Sequence, residues 1–117
     1  MEDFFDILSS SAEADGTRVF TLMVNKEHQI FKGHFPGKPI VPGVTTLMMA
    51  RLCAQKALGK GSLRYQTVKD AKYVAPIVPD GKPIRISLAM TGMDIKATVS
   101  TEEGSPLTTI RGTLVEE

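Results

Sequence analysis

The sequence has little of what usually cross-links or anchors a protein. Its 117 residues include one cysteine, Cys53, and no tryptophan. A single cysteine excludes an internal disulfide, and no Cys/His cluster has metal-ligand spacing. No hydrophobic run approaches the roughly 18 to 20 residues of a membrane span, and the first ten residues are acidic where a secretory signal is basic. We therefore expect a cytoplasmic protein without a metal site, with Cys53 in its core.

Acidic residues are absent from a long internal stretch. Between Glu27 and Asp70 there is no Asp or Glu, whereas Lys and Arg give this stretch a charge of +7. The remainder carries −6, so the net charge of +1 hides the asymmetry. Two interpretations stay open, a solvated surface or a docking surface for an acidic partner. We expect no nucleic-acid partner and no membrane span.

Length and composition predict one domain. Hydrophobic side chains make up 42% of the chain, an ordinary share for a globular protein. A chain of this length can build one hydrophobic core but not two independent ones. We therefore expect residues 1–117 to form a single domain.

One hydrophobic helix is predicted in the middle of the chain. Pro42 suits the first turn of a helix and Gly59 the position after its end, so the helix begins near Pro42 or Gly43. Apolar residues cover most of its circumference, while Arg51 and Gln55 mark one polar edge. We expect the helix to be covered on nearly all other sides, which a curved sheet could do.

The rest of the chain favours strands. Residues 2–9 are compatible with a short helix or a first strand, and His28 is expected to be exposed in a polar loop. Alternation and turn residues predict strands at Thr17–Val24, Leu63–Tyr73, Pro83–Met90, Asp94–Ser100 and Leu107–Val115. This order predicts an α+β domain with an antiparallel sheet curled around one helix. An open sheet edge could be protected by pairing with a second copy.

Two segments resemble a known family. The segment GHFPGKPIVPGV, Gly33–Val44, closely resembles the signature of the FabA/FabZ family of 3-hydroxyacyl-[acyl-carrier-protein] dehydratases, which have the hot-dog fold. The segment AKYVAPIVPDGKPIRISLAM, Ala71–Met90, resembles the family's strand, proline turn and next strand, with Asp80-Gly81 in place of a simple glycine turn. In its order of elements the resemblance covers almost the whole chain.

The resemblance implies a site at a dimer interface, reached through a tunnel by the phosphopantetheine arm of an acyl carrier protein. It implies no resident cofactor, and a homodimer or a higher even oligomer. His34 matches the catalytic base, and the Gly43 amide would hold the thioester carbonyl. The expected tunnel-lining residues are Phe31, Phe35, Val44, Met49 and Leu52, and the expected carrier-docking residues are Lys32 and Lys38.

One position departs from the family pattern. The family carries Glu or Asp 14 residues after the histidine, where this chain has Met48, and no other acid lies on the helix. A missing acid or base costs typically about 10²- to 10⁴-fold in rate. His34 could therefore be only structural, and Met48 could be ordinary core filling.

Three functions stay open. The first is a dehydratase in which His34 works with a proton donor from substrate, water or a loop, for example Glu27. The second is a non-catalytic carrier-binding or heterodimer subunit. The third is an acyl thioesterase, which the lack of a helix carboxylate disfavours.

Overall fold

The computed structural model describes residues 3–33, 37 and 39–117. Within these residues the elements are β1 (Phe5–Ala12), β2 (Arg18–Val24), α1 (Ile30–Gly33), α2 (Gly43–Leu58), β3 (Leu63–Tyr73), β4 (Ile84–Thr91), β5 (Asp94–Thr101) and β6 (Pro106–Glu116). The N-terminal segment is thus a strand, and the α+β class is confirmed. Three residues of the expected site lie outside the described residues, namely His34, Phe35 and Lys38.

The six strands form one antiparallel sheet in the order β1-β2-β4-β5-β6-β3. The alternation predicted for β4 is confirmed, because Ile84, Ile86 and Leu88 are buried while Arg85 is exposed. The two ends of the sheet are β1 and β3. Each of these strands therefore has one side without a neighbouring strand among the described residues.

Helix α2 lies on the inner face of the sheet and has the predicted bounds. It begins at Gly43 after Pro42, and it ends at Gly59, whose φ of 65° is left-handed. Glycine adopts this conformation without strain, which allows the Lys60 N–H to donate to the Gln55 oxygen at 3.0 Å and close the helix end. The residues of α2 buried against the sheet are Thr45, Thr46, Met49, Ala50, Cys53 and Ala54. Cys53 is therefore a core residue, as predicted.

The sheet covers one side of α2 only. Val44 is 76% exposed, and Met48 and Leu52, which follow it at intervals of four residues, are half-buried. In a single chain this face of the helix is left uncovered, because the strands curve over the opposite face. An apolar stripe left uncovered on a helix indicates a second packing surface.

The predicted polar edge of α2 ties the helix to β3. Arg51 donates hydrogen bonds to the Gln55 side-chain oxygen at 2.8 Å and to the Leu63 main-chain oxygen at 3.2 Å. The same Gln55 oxygen accepts the Leu63 N–H at 3.0 Å. These contacts hold the first residue of β3 against the last turns of α2.

Candidate active site at the N-terminus of helix α2

The first turn of α2 presents main-chain amides without a side-chain cap. Pro42 occupies the N-cap position and cannot supply a capping oxygen. Its main-chain oxygen accepts the amides of Thr45 and Thr46 at 3.0 and 3.1 Å. Within the described part of the chain, the N–H groups of Gly43 and Val44 have no acceptor. These amides, at the positive end of the helix dipole, can bind a carbonyl oxygen or an anion.

Tyr73, the last residue of β3, packs directly on Gly43. Its hydroxyl donates a hydrogen bond of 3.2 Å to the Gly43 main-chain oxygen. A Cβ placed on Gly43 would lie 2.9 Å from both the Cζ and the hydroxyl oxygen of Tyr73. Only glycine leaves room for this ring without a shift, so the phenol lies against the first turn of α2.

A second tyrosine makes the same kind of contact one helical turn further along. The Tyr65 hydroxyl donates to the Leu47 main-chain oxygen at 2.7 Å. Burial raises the pKa of Tyr65 to about 12, although the Arg51 charge opposes this shift. The two tyrosines differ in exposure, because Tyr65 is half-buried while Tyr73 is 52% exposed.

An apolar groove runs beside the start of α2. It has a volume of about 460 Å³, and its walls come from the segment before α2, from the end of β3 and from the loop after it. Two of its lining residues, Thr46 and Thr108, are buried. The lining residues are Ile40, Val41, Pro42, Gly43, Thr46, Tyr73, Ala75, Pro76, Ile77 and Thr108. An apolar chain attached to a polar group held at Gly43 would fit this groove.

A larger depression lies elsewhere on the molecule. It has a volume of about 650 Å³ and is lined by charged and small residues, including Lys69, Lys96 and Arg111. These residues lie on the outer face of the sheet, opposite α2. We prefer the groove at Gly43 as the site because it is apolar and adjoins the helix N-terminus.

The expected tunnel-lining residues are dispersed around α2. Met49 is fully buried, and Phe31 is buried beside Phe4, with ring centroids 5.7 Å apart. Val44 is exposed and Leu52 is half-buried. Their role in lining a tunnel therefore stays a prediction.

Met48 belongs to the partly uncovered face of α2. Its side chain is half-buried and packs against the edge of the core. The helix residues Gly43–Leu58 include no carboxylate. The position that would carry the family's acid is therefore accessible from outside this chain's sheet.

His28 is buried, so the prediction that it is exposed is wrong. It is 8% exposed and lies edge-on to Phe4, with ring centroids 5.4 Å apart. Its Nδ1 accepts the Ile30 N–H at 3.1 Å, so in the neutral ring the proton is on Nε2, which lies 3.2 Å from Asp3 Oδ1. The polar neighbours of His28 in sequence concealed these contacts. His28 thereby holds the start of α1, the helix that precedes His34.

The remaining predicted features concern charge and metal binding. Lys32 is exposed in the last turn of α1, and Glu27 is exposed in the turn before it. Burial raises the pKa of the Cys53 thiol to about 12, so this cysteine is a poor nucleophile.

Residues 3–33, 37 and 39–117 contain no group of three His, Cys, Asp or Glu side chains placed to bind a metal ion. In the same residues, no helix has the length and apolar character needed to cross a membrane.

Comparison with known proteins agrees with this architecture. Residues 10–109 match the ApeI-like family, described as ApeI dehydratase. The chain belongs to the ApeI-like dehydratase family. This family assignment confirms the resemblance to hot-dog dehydratases that the motif at Gly33–Val44 predicted.

Individual relatives of this ApeI-like chain support both fold and family. The 3-hydroxyacyl-[acyl-carrier-protein] dehydratase FabZ of Sinorhizobium medicae is 34% identical over 79 residues, which are 62% of this chain and 50% of the relative. The chain spans about half the length of the curated relatives it matches.

Two solved structures share the hot-dog fold of the ApeI-like chain. The dehydratase heterocomplex ApeI:P of Xenorhabdus doucetiae superimposes with a TM-score of 0.79 at 18% identity, covering 95% of this chain and 97% of the other. An uncharacterized protein of Erwinia carotovora superimposes with a TM-score of 0.76 at 25% identity, covering 96% of both chains.

Gly43 and Met48 can be identified from the sequence motif, but Tyr73 cannot. A tyrosine at the end of a predicted strand is usual in a sheet, and nothing in its sequence neighbours indicates a contact with Gly43, 30 residues earlier. A usable signal was the occurrence of the chain's two tyrosines on one strand, both on the face that meets the helix.

Proposed function

We propose that this ApeI-like protein eliminates water from 3-hydroxyacyl thioesters carried on an acyl carrier protein. The observation that carries this proposal is the first turn of α2, which has no side-chain cap and lies beside an apolar groove of about 460 Å³. The phosphopantetheine arm arrives on the carrier, and the protein needs no cofactor of its own. His34, assigned from the motif, is the proposed base that removes a proton from C2.

The helix end has the chemistry that this reaction needs. Removal of the C2 proton places negative charge on the thioester oxygen. The Gly43 amide and the positive end of α2 favour this charge, and the surrounding apolar side chains strengthen the interaction by excluding water. The acyl chain is proposed to follow the groove from Gly43 towards Pro76 and Ile77, which lie in its wall.

A second subunit is proposed to complete the site. The outer side of β3 is an unpaired sheet edge among the described residues of this chain. Three valines near this edge are exposed: Val68 lies on β3, Val74 directly follows β3, and Val44 lies on α2. Pairing of β3 with a second copy would protect this edge and cover the apolar face of α2. We therefore propose a homodimer, or a higher even oligomer built from it.

A second candidate function is that of a subunit in a mixed dimer. Met48 favours this function, because α2 has no carboxylate. In a dimer of two identical subunits, neither copy of α2 can therefore supply a carboxylate to a site. A related dehydratase that carries the acid at this position would supply it to the half-site containing His34. A dehydratase heterocomplex occurs among the structural neighbours.

Turnover of defined thioesters tests the dehydratase proposal. The purified protein is incubated with 3-hydroxyacyl-carrier-protein thioesters of increasing chain length, and enoyl product and free thiol are both measured. Enoyl product without thiol supports the dehydratase, and thiol alone would establish a thioesterase instead. Binding of loaded carrier without either product would reject turnover by the homodimer and favour the mixed-dimer subunit. A His34→Ala variant, which should lose enoyl formation, is the control for the base.

A further inference from the structure

The absence of a carboxylate from α2 leaves one proton transfer without a donor. Elimination of water requires a base for the C2 proton and an acid that protonates the departing 3-hydroxyl, because hydroxide is a poor leaving group. His34 is the proposed base. Gly43–Leu58 contains no acidic side chain that could serve as the acid.

The two tyrosines of β3 are the phenols nearest to the helix. Their hydroxyls donate to main-chain oxygens one helical turn apart, Tyr73 to Gly43 and Tyr65 to Leu47. Tyr65 makes the shorter bond, 2.7 Å, and is held within the protein. Tyr73 makes a longer bond of 3.2 Å at the mouth of the groove, and its ring is half-exposed. A substrate oxygen can therefore replace the Gly43 oxygen as the acceptor of the Tyr73 proton.

Position favours Tyr73 over the other hydroxyls that line the groove. Thr46 already donates to the Pro42 oxygen at 3.4 Å, and Thr108 is 1% exposed. Alkyl hydroxyls are also much weaker acids than phenols. The 3-hydroxyl of a substrate lies two carbon atoms beyond the thioester carbonyl. When that carbonyl is bound at Gly43, the 3-hydroxyl is within reach of a phenol packed on the same residue.

We propose that Tyr73 is the proton donor to the departing 3-hydroxyl, in place of the missing helix carboxylate. This inference rests on the proposed dehydratase function. The C2–H bond breaks as His34 accepts the proton, and its electron pair forms the C2–C3 double bond. The C3–O bond breaks with its electrons on oxygen, and the Tyr73 hydroxyl gives that oxygen a proton to form water. The tyrosinate then regains a proton from solvent water and the imidazolium of His34 releases one to it, so the cycle needs no further reactant.

Tyr73→Phe tests the inference, with Tyr65→Phe as the matched control. The substitution at position 73 keeps the ring over Gly43 and removes only the hydroxyl. We expect the dehydration rate at saturating substrate to fall by about 10²-fold or more in Tyr73→Phe. It should fall less than about tenfold in Tyr65→Phe, whose hydroxyl only braces α2. Equal rates for Tyr73→Phe and the unchanged protein would overturn the inference and leave the dehydratase proposal intact.

A change of leaving group separates proton donation from a structural role. Fluoride departs with much less need for protonation than hydroxide, so a 3-fluoroacyl thioester depends chiefly on the base and the carbonyl site. We expect Tyr73→Phe to eliminate fluoride at nearly the rate of the unchanged protein. If both substrates slow equally, Tyr73 is structural and not the donor.

A binding measurement tests the inference even if the homodimer turns over no substrate. That lack of turnover would count against the proposed function and not against the role of Tyr73. Acyl-pantetheine amides with and without the 3-hydroxyl are titrated into protein carrying ¹³Cζ-labelled tyrosine. The two resonances are assigned with the Tyr65→Phe and Tyr73→Phe variants. A shift of the Tyr73 signal that requires the 3-hydroxyl supports the contact. No shift, or the same shift with both amides, would reject it.

Discussion

Tyr73 occupies the space that a side chain at position 43 would fill, and its hydroxyl donates to the Gly43 oxygen at 3.2 Å. The ring therefore depends on the absence of a Cβ at Gly43. This relationship joins the last residue of β3 to the helix end that is proposed to bind the thioester. A change at either residue should alter the groove between them.

Gly43→Ala should displace Tyr73 with little loss of stability. Alanine is favoured over glycine in helices by about 1 kcal/mol, which offsets part of the clash with a ring tip that can move. We expect thioester turnover to fall by at least about tenfold while the free energy of unfolding changes by less than about 1 kcal/mol. Gly61→Ala, where no atom lies within 4 Å of the new Cβ, is the control. Because the chain has no tryptophan, tyrosine fluorescence reports the displacement directly.

Met48→Glu should introduce the acid that α2 lacks. We expect turnover to rise by about tenfold or more if position 48 faces the reacting centre, since a positioned acid contributes about 10² to 10⁴. Met48→Gln has a similar size but no exchangeable acid and should show no gain. If Met48→Glu folds, forms the dimer and stays at the original rate, position 48 does not face the site.

A mixed dimer tests whether the site is shared between subunits. A His34→Ala/Met48→Glu chain is combined with the unchanged chain, which still has His34. If the base and the acid come from different subunits, one of the two sites then holds both, and activity should exceed that of either homodimer. Activity equal to the average of the two homodimers would place both groups in the same subunit.

His28→Ala should destabilise the protein. The substitution leaves the Ile30 N–H without its acceptor and removes the ring packed on Phe4, at a cost of about 1 to 3 kcal/mol. His28→Asn can retain an acceptor near the same place and should lose less. Urea unfolding measures the stability of both variants, and Gln29→Ala, at an exposed position, is the control. An unfolding midpoint for His28→Ala equal to that of the control would show that the buried contacts contribute nothing.

Lys32→Glu should weaken the binding of acyl carrier protein. Reversing one exposed charge should lower the affinity by about three- to tenfold at low salt, and the difference should shrink as salt screens it. Lys96→Glu makes the same charge change on β5, on the outer face of the sheet. Titration calorimetry at two salt concentrations compares them. Equal effects of the two variants would show that the carrier responds to net charge and not to a site near α1.

Alkaline pH should destabilise the fold through Cys53 and Tyr65. Both groups have a pKa raised by burial to about 12, from ordinary values of 9.0 and 10.0. Their neutral forms favour the folded state, so this stability is complete below about pH 9 and is lost as pH rises towards 12. Each group should steepen the fall by up to about 1.4 kcal/mol per pH unit. The free energy of unfolding, measured with urea at about pH 8, 9 and 10, should fall less steeply with pH in Cys53→Ala than in the unchanged protein. In the unfolded state the two groups ionise over this range of pH. An unchanged slope would contradict a buried neutral thiol.

The order of the elements, the bounds of α2 and the family can all be predicted from the sequence. Proline before Gly43 and glycine at position 59 act through local backbone geometry, so helix bounds follow from neighbouring residues alone. The buried face of β4 follows from strict alternation, and the absence of an acid at Met48 is visible from the sequence motif.

Which surfaces of these elements meet is known only from the tertiary structure. In that structure Tyr73 packs on Gly43, His28 is buried against Phe4 and Val44 is uncovered. Neighbouring residues do not predict these features, because each depends on how the sheet, including β1 and β3, curves around α2. Periodicity reports that a helix is apolar on most sides, but it does not report what covers each side. Contacts between residues far apart in sequence are set by sheet order and register, which local patterns do not encode.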